Sequence, residues 1–348
     1  MGFEYGRRLS LATIVTGFAL FACSPKPAEA PEPLIADPPP GAAEGSSAGE
    51  AAAELSRGVA YAKSEHYAEA KPHLEKALIA QPRSREAAFY LALSLEKTMD
   101  KAGAESFYKK ALGIDPGFAE AGENLAALYL DEPARPDDAI AVLTEVLAKA
   151  PGAVRLMTNL AYAYTLKGDF ANASKQYEGA LAKGEDAGLR LRYGQLLVES
   201  KQPEKAGEQL RRALAGTKDD PAALATIGRL LAFSKSFPEC LKAFDRAIAL
   251  KAGDPEWYAR RGTCRHELKD EAGAKEDYEA AIKADPKFAA AHYYLGVSYL
   301  AEGRRQTAYD ELEKAVKLGE GTPIAKTAGE RLESLRDVAG SRKGGKKK

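Results

Sequence analysis

The chain has 348 residues, 45% of them hydrophobic and 29% charged, and its basic and acidic side chains balance to a formal net charge of +0. That composition excludes a chain too polar to bury a core, and it supplies no net field to draw the molecule to nucleic acid or to a membrane surface. Abundant alanine, a single tryptophan and no long alternation of apolar and polar residues favour helix over sheet, so an all-α protein is expected.

Arg7 and Arg8 precede an apolar run from Leu9 to Ala22. The run is short for a membrane span and normal for a signal peptide, which is predicted over residues 1–22. It closes in Leu20-Phe21-Ala22-Cys23, which resembles the lipobox of bacterial lipoproteins. The resemblance implies lipidation at Cys23; the alternative is an uncleaved anchor helix whose Cys is incidental. Ser24 rather than Asp after the Cys implies, by the same resemblance, export to the outer membrane with the protein facing the periplasm. From there to residue 50 the chain is Pro, Ala, Glu, Gly and Ser, which cannot offset the entropy of ordering, and it reads as a disordered tether.

A pattern near Arg85–Phe118 recurs along the remaining chain. Leu91, Ala92 and Leu95 make one apolar stripe at helical spacing, and Ala104, Tyr108 and Ala111 make a second before Asp115-Pro116 ends it. Three columns repeat at a period of about 34 residues. The first helix carries a small residue at Gly58, Ala92, Ala126, Ala161, Gly194, Gly228, Gly262 and Gly296. A second small column opens the next helix at Ala70, Ala104, Ala139, Ala173, Ala206, Cys240, Ala274 and Ala308. The third is Ala77, Ala111, Val146, Ala180, Ala213, Ala247, Ala281 and Ala315.

These columns resemble the tetratricopeptide repeat. The resemblance implies an α-solenoid of about eight helical hairpins. The repeats are expected at 51–84, 85–118, 119–153, 154–186, 187–220, 221–254, 255–288 and 289–322. Asp131 to Pro136 adds a residue to the third turn, and the fourth repeat lacks its closing Pro. Asp220-Pro221, Asp254-Pro255 and Thr322-Pro323 each place a capping residue before a Pro at the first helical position. The last of these opens an unpaired amphipathic segment, 323–338, expected to cap the solenoid, and 339–348 reads as a basic disordered tail.

Cys240 stands in a column of small residues, so being small accounts for it, while a bridge to Cys264 is the alternative. The histidines, His66, His73, His266 and His292, have no partnered nucleophile, and no metal-ligand spacing or phosphate loop is present. No enzymatic activity and no cofactor is expected, and His292 falls at a bulky core position.

Binding remains. The family resemblance implies that the first helices line a concave face that holds a protein or peptide partner. Some members clamp a C-terminal carboxylate there; Asn124 and Asn159 occupy a matching column with Arg192 one repeat on, although Glu123 stands where a clamp Lys would be wanted. The inward columns give Glu86, Glu96, Glu120, Glu123 and Asp131 with Phe89 in repeats two and three, then Arg155, Arg192, Arg229, Arg260 and His266 further on, against Glu199, Glu256 and Glu267. A groove acidic at its start and basic beyond is expected, with an acidic partner segment on the basic stretch. Two functions fit: a lipid-anchored envelope scaffold similar to the repeat lipoproteins that help secretin rings form, or a periplasmic chaperone or adaptor for peptides or cell-wall polymer.

Overall fold

A short helix that must double back needs a cap at its start, a left-handed residue at its end and an apolar stripe to lay on its neighbour. All three recur in the computed structural model, which describes residues 47–131 and 133–344, with side chains from 48 to 335 within them. Cys23 and its flanking segments lie outside the described residues, and so do the last four lysine- and glycine-containing positions. Among the described residues the secondary structure is helical throughout, and no helix is long and apolar enough to cross a membrane.

The chain divides into two compact units at Gly184 and Glu185, where the closing proline of the fourth repeat is missing. The first unit holds α1 (Ser47–Lys63), α2 (Tyr67–Ala80), α3 (Arg85–Lys97), α4 (Lys101–Ile114), α5 (Ala119–Leu130), α6 (Pro136–Lys149), α7 (Val154–Leu166) and α8 (Phe170–Leu181). The second holds α9 (Ala187–Glu199), α10 (Pro203–Gly216), α11 (Pro221–Phe233), α12 (Phe237–Leu250), α13 (Pro255–Glu267), α14 (Glu271–Ala284), α15 (Ala289–Ala301), α16 (Arg305–Leu318) and α17 (Pro323–Gly344). Odd and even helices pair as antiparallel hairpins, and α17 packs on α16. It continues to Gly344, past the end of the amphipathic pattern at Val338.

The expected caps are in place. Asp220 accepts from Ala223 N, Asp254 from Glu256 N and Trp257 N, and Thr322 Oγ1 from Ala325 N. Within each hairpin the first helix closes in a left-handed turn: Glu65, Met99, Lys201, Lys235 and Lys269 have φ of 65°, 69°, 58°, 56° and 69°, and Gly168 and Gly303 take the same place at 73° and 76°. The next amide reaches back five residues, as from Asp100 N to Leu95 O at 2.8 Å and from Asp270 N to Arg265 O at 2.9 Å, which satisfies a carbonyl the helix end would leave open. The third hairpin departs from this, with a longer connection over 131–135.

Each hairpin core is a small residue against a large one. Leu74, Tyr108, Leu143, Leu210, Phe244 and Leu312 are fully buried on the second helices, opposite the small column of the first. The fit is close at Gly262, where a Cβ would stand 2.6 Å from Tyr278 Cε1 and 3.0 Å from Ala274 O. His292 is buried as expected, with Nδ1 2.6 Å from Glu311 Oε2 and Nε2 2.9 Å from Pro286 O.

Charge also ties helices together, both within a hairpin and between successive ones. In the first unit Arg85 pairs with Asp115, Lys101 with Asp131, Arg135 with Glu105 and Lys167 with Asp137. In the second, Arg261 reaches both Asp245 on α12 and the buried Asp277 on α14, which Arg265 also meets at 3.2 Å. Here the reading of Cys240 as merely small needs correction. Cys240 and Cys264, both buried, form a disulfide with Cα atoms 6.3 Å apart, because the start of α12 and the end of α13 are brought side by side.

Candidate functional site

Which helix faces remain for a partner follows from what each helix touches. Within each unit a second helix that has a following helix is packed between its own first helix and that next one, while first helices also meet each other: α1 meets α3 and α5 meets α7 in one unit, and α9 meets α11, α11 meets α13 and α13 meets α15 in the other. Within each unit the first helices are therefore on the inside of the stack's bend. From the second repeat on, their remaining faces carry the columns two, nine, twelve and thirteen places into each repeat, such as Gln195, Arg229 and Thr263.

In the first unit, the expected contact residues are largely engaged within the fold. Phe89 is half-buried, with its ring 5.2 Å from Tyr90, 5.9 Å from Tyr108 and 5.2 Å from Phe118. Asn124 Nδ2 donates to Tyr108 Oη at 3.2 Å, and that hydroxyl donates to Glu96 Oε2 at 2.8 Å. Burial pushes the Tyr108 hydroxyl pKa up, so the hydroxyl keeps the proton it donates. Glu123 is buried and its carboxyl is raised by that burial, against the opposing pull of Arg155, whose Nε lies 3.1 Å from Glu123 Oε2. Asn159 is half-buried on α7, on the next hairpin. A Glu at position 123, held by Arg155, leaves Asn124 and Asn159 without the Lys a carboxylate clamp uses.

In the second unit, Arg192 is exposed on α9 and Arg229 is half-buried on α11. Desolvation lowers the Arg229 pKa, and the charge of Arg260 acts in the same direction, with Glu256 opposing. Arg260 is itself paired, Nε to Glu256 Oε1 at 2.6 Å, one turn back on α13. His266 Nδ1 lies 2.8 Å from Glu271 Oε2, across the turn to α14. Arg229 and Arg260 are thus brought together, whereas His266 is turned to its own hairpin. Glu199 is half-buried, and that burial raises its carboxyl above the usual range. An exposed apolar side chain that the sequence did not single out is Phe233, 50% exposed and one turn beyond Arg229 on α11. Its position in an inward column was visible; its exposure was not.

Among the described residues no group of three His, Cys, Asp or Glu could hold a metal ion. What the arrangement offers is contact chemistry: charged, hydroxyl and apolar side chains on a ridged helical surface.

The tetratricopeptide repeat model matches residues 55–117, 124–188, 167–223 and 270–323. No curated protein matches the chain. Among solved structures, PilF of Pseudomonas aeruginosa is 21% identical with a TM-score of 0.50, over 65% of this chain and 99% of that one. A tetratricopeptide repeat protein from Parabacteroides merdae is 18% identical with a TM-score of 0.45, over 72% and 98%. A MamA protein is 24% identical with a TM-score of 0.43, over 48% and 92%. At these identities the likeness concerns the fold. The repeated hairpins, their small-against-large columns and the family match along most of the chain lead to one conclusion: this chain belongs to the tetratricopeptide repeat family, a fold that serves protein–protein interaction.

Proposed function

We propose that the chain is a lipid-anchored scaffold of the bacterial cell envelope, whose first-helix surface holds a protein partner and supports assembly of a membrane complex. The observation that carries the binding role is the stacking of first helices on one another, which gathers their unpacked columns on one side within each unit. Two features support the setting. Leu20-Phe21-Ala22-Cys23 has the form of a lipidation signal, and two acyl chains hold a protein stably on a bilayer. The Cys240–Cys264 disulfide suits an oxidising compartment outside the cytoplasm.

A photoreactive side chain placed at Gln195, on the first-helix surface, is expected to trap a discrete membrane-associated protein. The same group at Lys242, on the exposed side of α12, is expected to trap none. Cys23→Ser should leave the chain unlipidated and its precursor uncleaved, both read by mass spectrometry. Equal adducts from the two positions remove the assigned surface, and an unmodified Cys23 in the mature wild-type chain, or cleavage elsewhere, removes the anchor.

A further inference from the structure

Arg229 and Phe233 are four residues apart on α11 and so share a face of that helix. Arg229 is an unusual side chain to leave there. It is half-buried, so it has lost part of its hydration, yet no carboxylate or carbonyl accepts from its guanidinium among the described residues. Other guanidiniums withdrawn from solvent in this unit are matched: Arg190 to Glu185 and Gln209, Arg261 to Asp245 and Asp277, and Arg246 to the carbonyls of Leu214 and Thr217. Among the neighbouring charges, the repulsion of Arg260 outweighs the attraction of Glu256. Glu256 is taken up by Arg260, and Arg260 adds a like charge. An unpaired, partly desolvated cation costs stability unless something outside the fold pairs with it. One turn on, Phe233 keeps half its surface in water, which is the other component of a contact centre: an aromatic anchor beside a charge.

We propose that this face of α11, with Arg260 of α13 beside it, receives a segment of a protein partner that carries a carboxylate followed by an apolar side chain. The carboxylate takes the parallel donors of the Arg229 guanidinium, and the apolar side chain covers Phe233. The inference rests on the proposed binding role of the first-helix surface and names the chemistry of its ligand. Charge complementarity selects a side-chain carboxylate; the adjacent Phe233 selects a peptide over a lipid headgroup or a free anion, neither of which needs an aromatic at that spacing.

The purified full chain in detergent is titrated with a fluorescein-labelled peptide, Gly-Ser-Glu-Glu-Leu-Phe-Ser-Gly, acetylated and amidated so that it has no terminal charges. Arg229→Met and Phe233→Ser are each expected to weaken binding about tenfold or more, and a Gln-for-Glu peptide should bind as weakly to wild type as the capped peptide binds to Arg229→Met. Arg229→Met should melt at the wild-type temperature or above it, since it removes a desolvated charge and a repulsion, which a packing residue would not do. Binding should weaken as salt rises. The proposal is overturned if wild type does not bind the peptide, if either variant binds it as wild type does, or if only phosphatidylglycerol vesicles respond to Arg229→Met. Adducts from Gln195 obtained in any of those cases leave the scaffold role standing and remove only this ligand.

Discussion

At the scale of single residues, the small column is the part of this fold most legible in the sequence, because a close helix contact admits few side chains. Gly262→Ala tests it. The added methyl would meet the ring of Tyr278 and the backbone oxygen of Ala274, neither of which can swing away, so the clash should outweigh the gain in helix propensity and cost about 1–3 kcal/mol. Gly329 on α17 is the control. A Cβ there meets nothing within 4 Å, and Gly329→Ala should stabilise by about 0.5–1 kcal/mol, both read from urea midpoints. The left-handed turn column was harder to see. Glycine occupies it only at Gly168 and Gly303, while Met99 and Lys269 tolerate φ of 69° because the surrounding turn over-determines them. Met99→Gly should therefore stabilise the second hairpin, by less than about 1 kcal/mol.

Glu105 ties α4 to α5 and α6 through charge, and its effect depends on pH. Its carboxylate accepts from Lys109 at 2.7 Å, Tyr129 at 3.1 Å and Arg135 at 2.6 Å. The Lys109 bond chiefly, with Arg135 and Tyr129 outweighing burial, holds its pKa down to about 2 from 4.5. A folded pKa below the unfolded one means a contribution that is full above about pH 4.5 and is lost as pH falls from there toward about 2. Solvent screens these pairs, so the contribution is about 1 kcal/mol. Glu105→Gln should cost about that much at pH 7 and progressively less in acid; a difference that stays constant to pH 2 would show that shape, not charge, is what the glutamate supplies.

At the scale of elements, helix starts were readable wherever a capping residue precedes Pro, and the longer third turn was readable from its extra residue. Ends and joins were less so, because they depend on partners a repeat or more away. Arg246 is the clearest case: from α12 it donates to Leu214 O at 2.7 Å and to the carbonyls of Thr217 and Lys218, so it closes the C-terminus of α10 across about one period. Nothing in the column pattern marks that arginine. Arg246→Met keeps the stem and removes the donors; it should cost about 1–2 kcal/mol and speed amide exchange in the last turn of α10. The candidate site divides in the same way. Its columns were visible, but Phe89 and Asn124 proved to be committed inside the fold, and the pairing of Arg260 with Glu256 that isolates Arg229 depends on rotamers.

At the scale of the whole molecule, hairpins that touch only their neighbours should not melt as one cooperative block. The chain contains a built-in reporter for this, since its single tryptophan, Trp257, sits on α13 in the second unit, whereas helical circular dichroism reports both units. The Cys240–Cys264 bridge closes a loop of sequence separation 24 in that same unit. Loop-closure entropy for such a span amounts to about 3 kcal/mol. Cys240→Ala with Cys264→Ala should therefore lower the urea midpoint seen by Trp257 fluorescence while shifting only part of the circular dichroism signal. A reductant should act on the wild-type chain in the same direction, once the buried bridge is exposed to it, and should leave the double variant unchanged. The four hairpins of α1–α8 lie outside the bridged loop, so the share of the helical signal they supply should keep its wild-type midpoint. If fluorescence and circular dichroism instead shift together and by the same amount, the two units unfold as one, and the missing proline at their boundary carries no weakness.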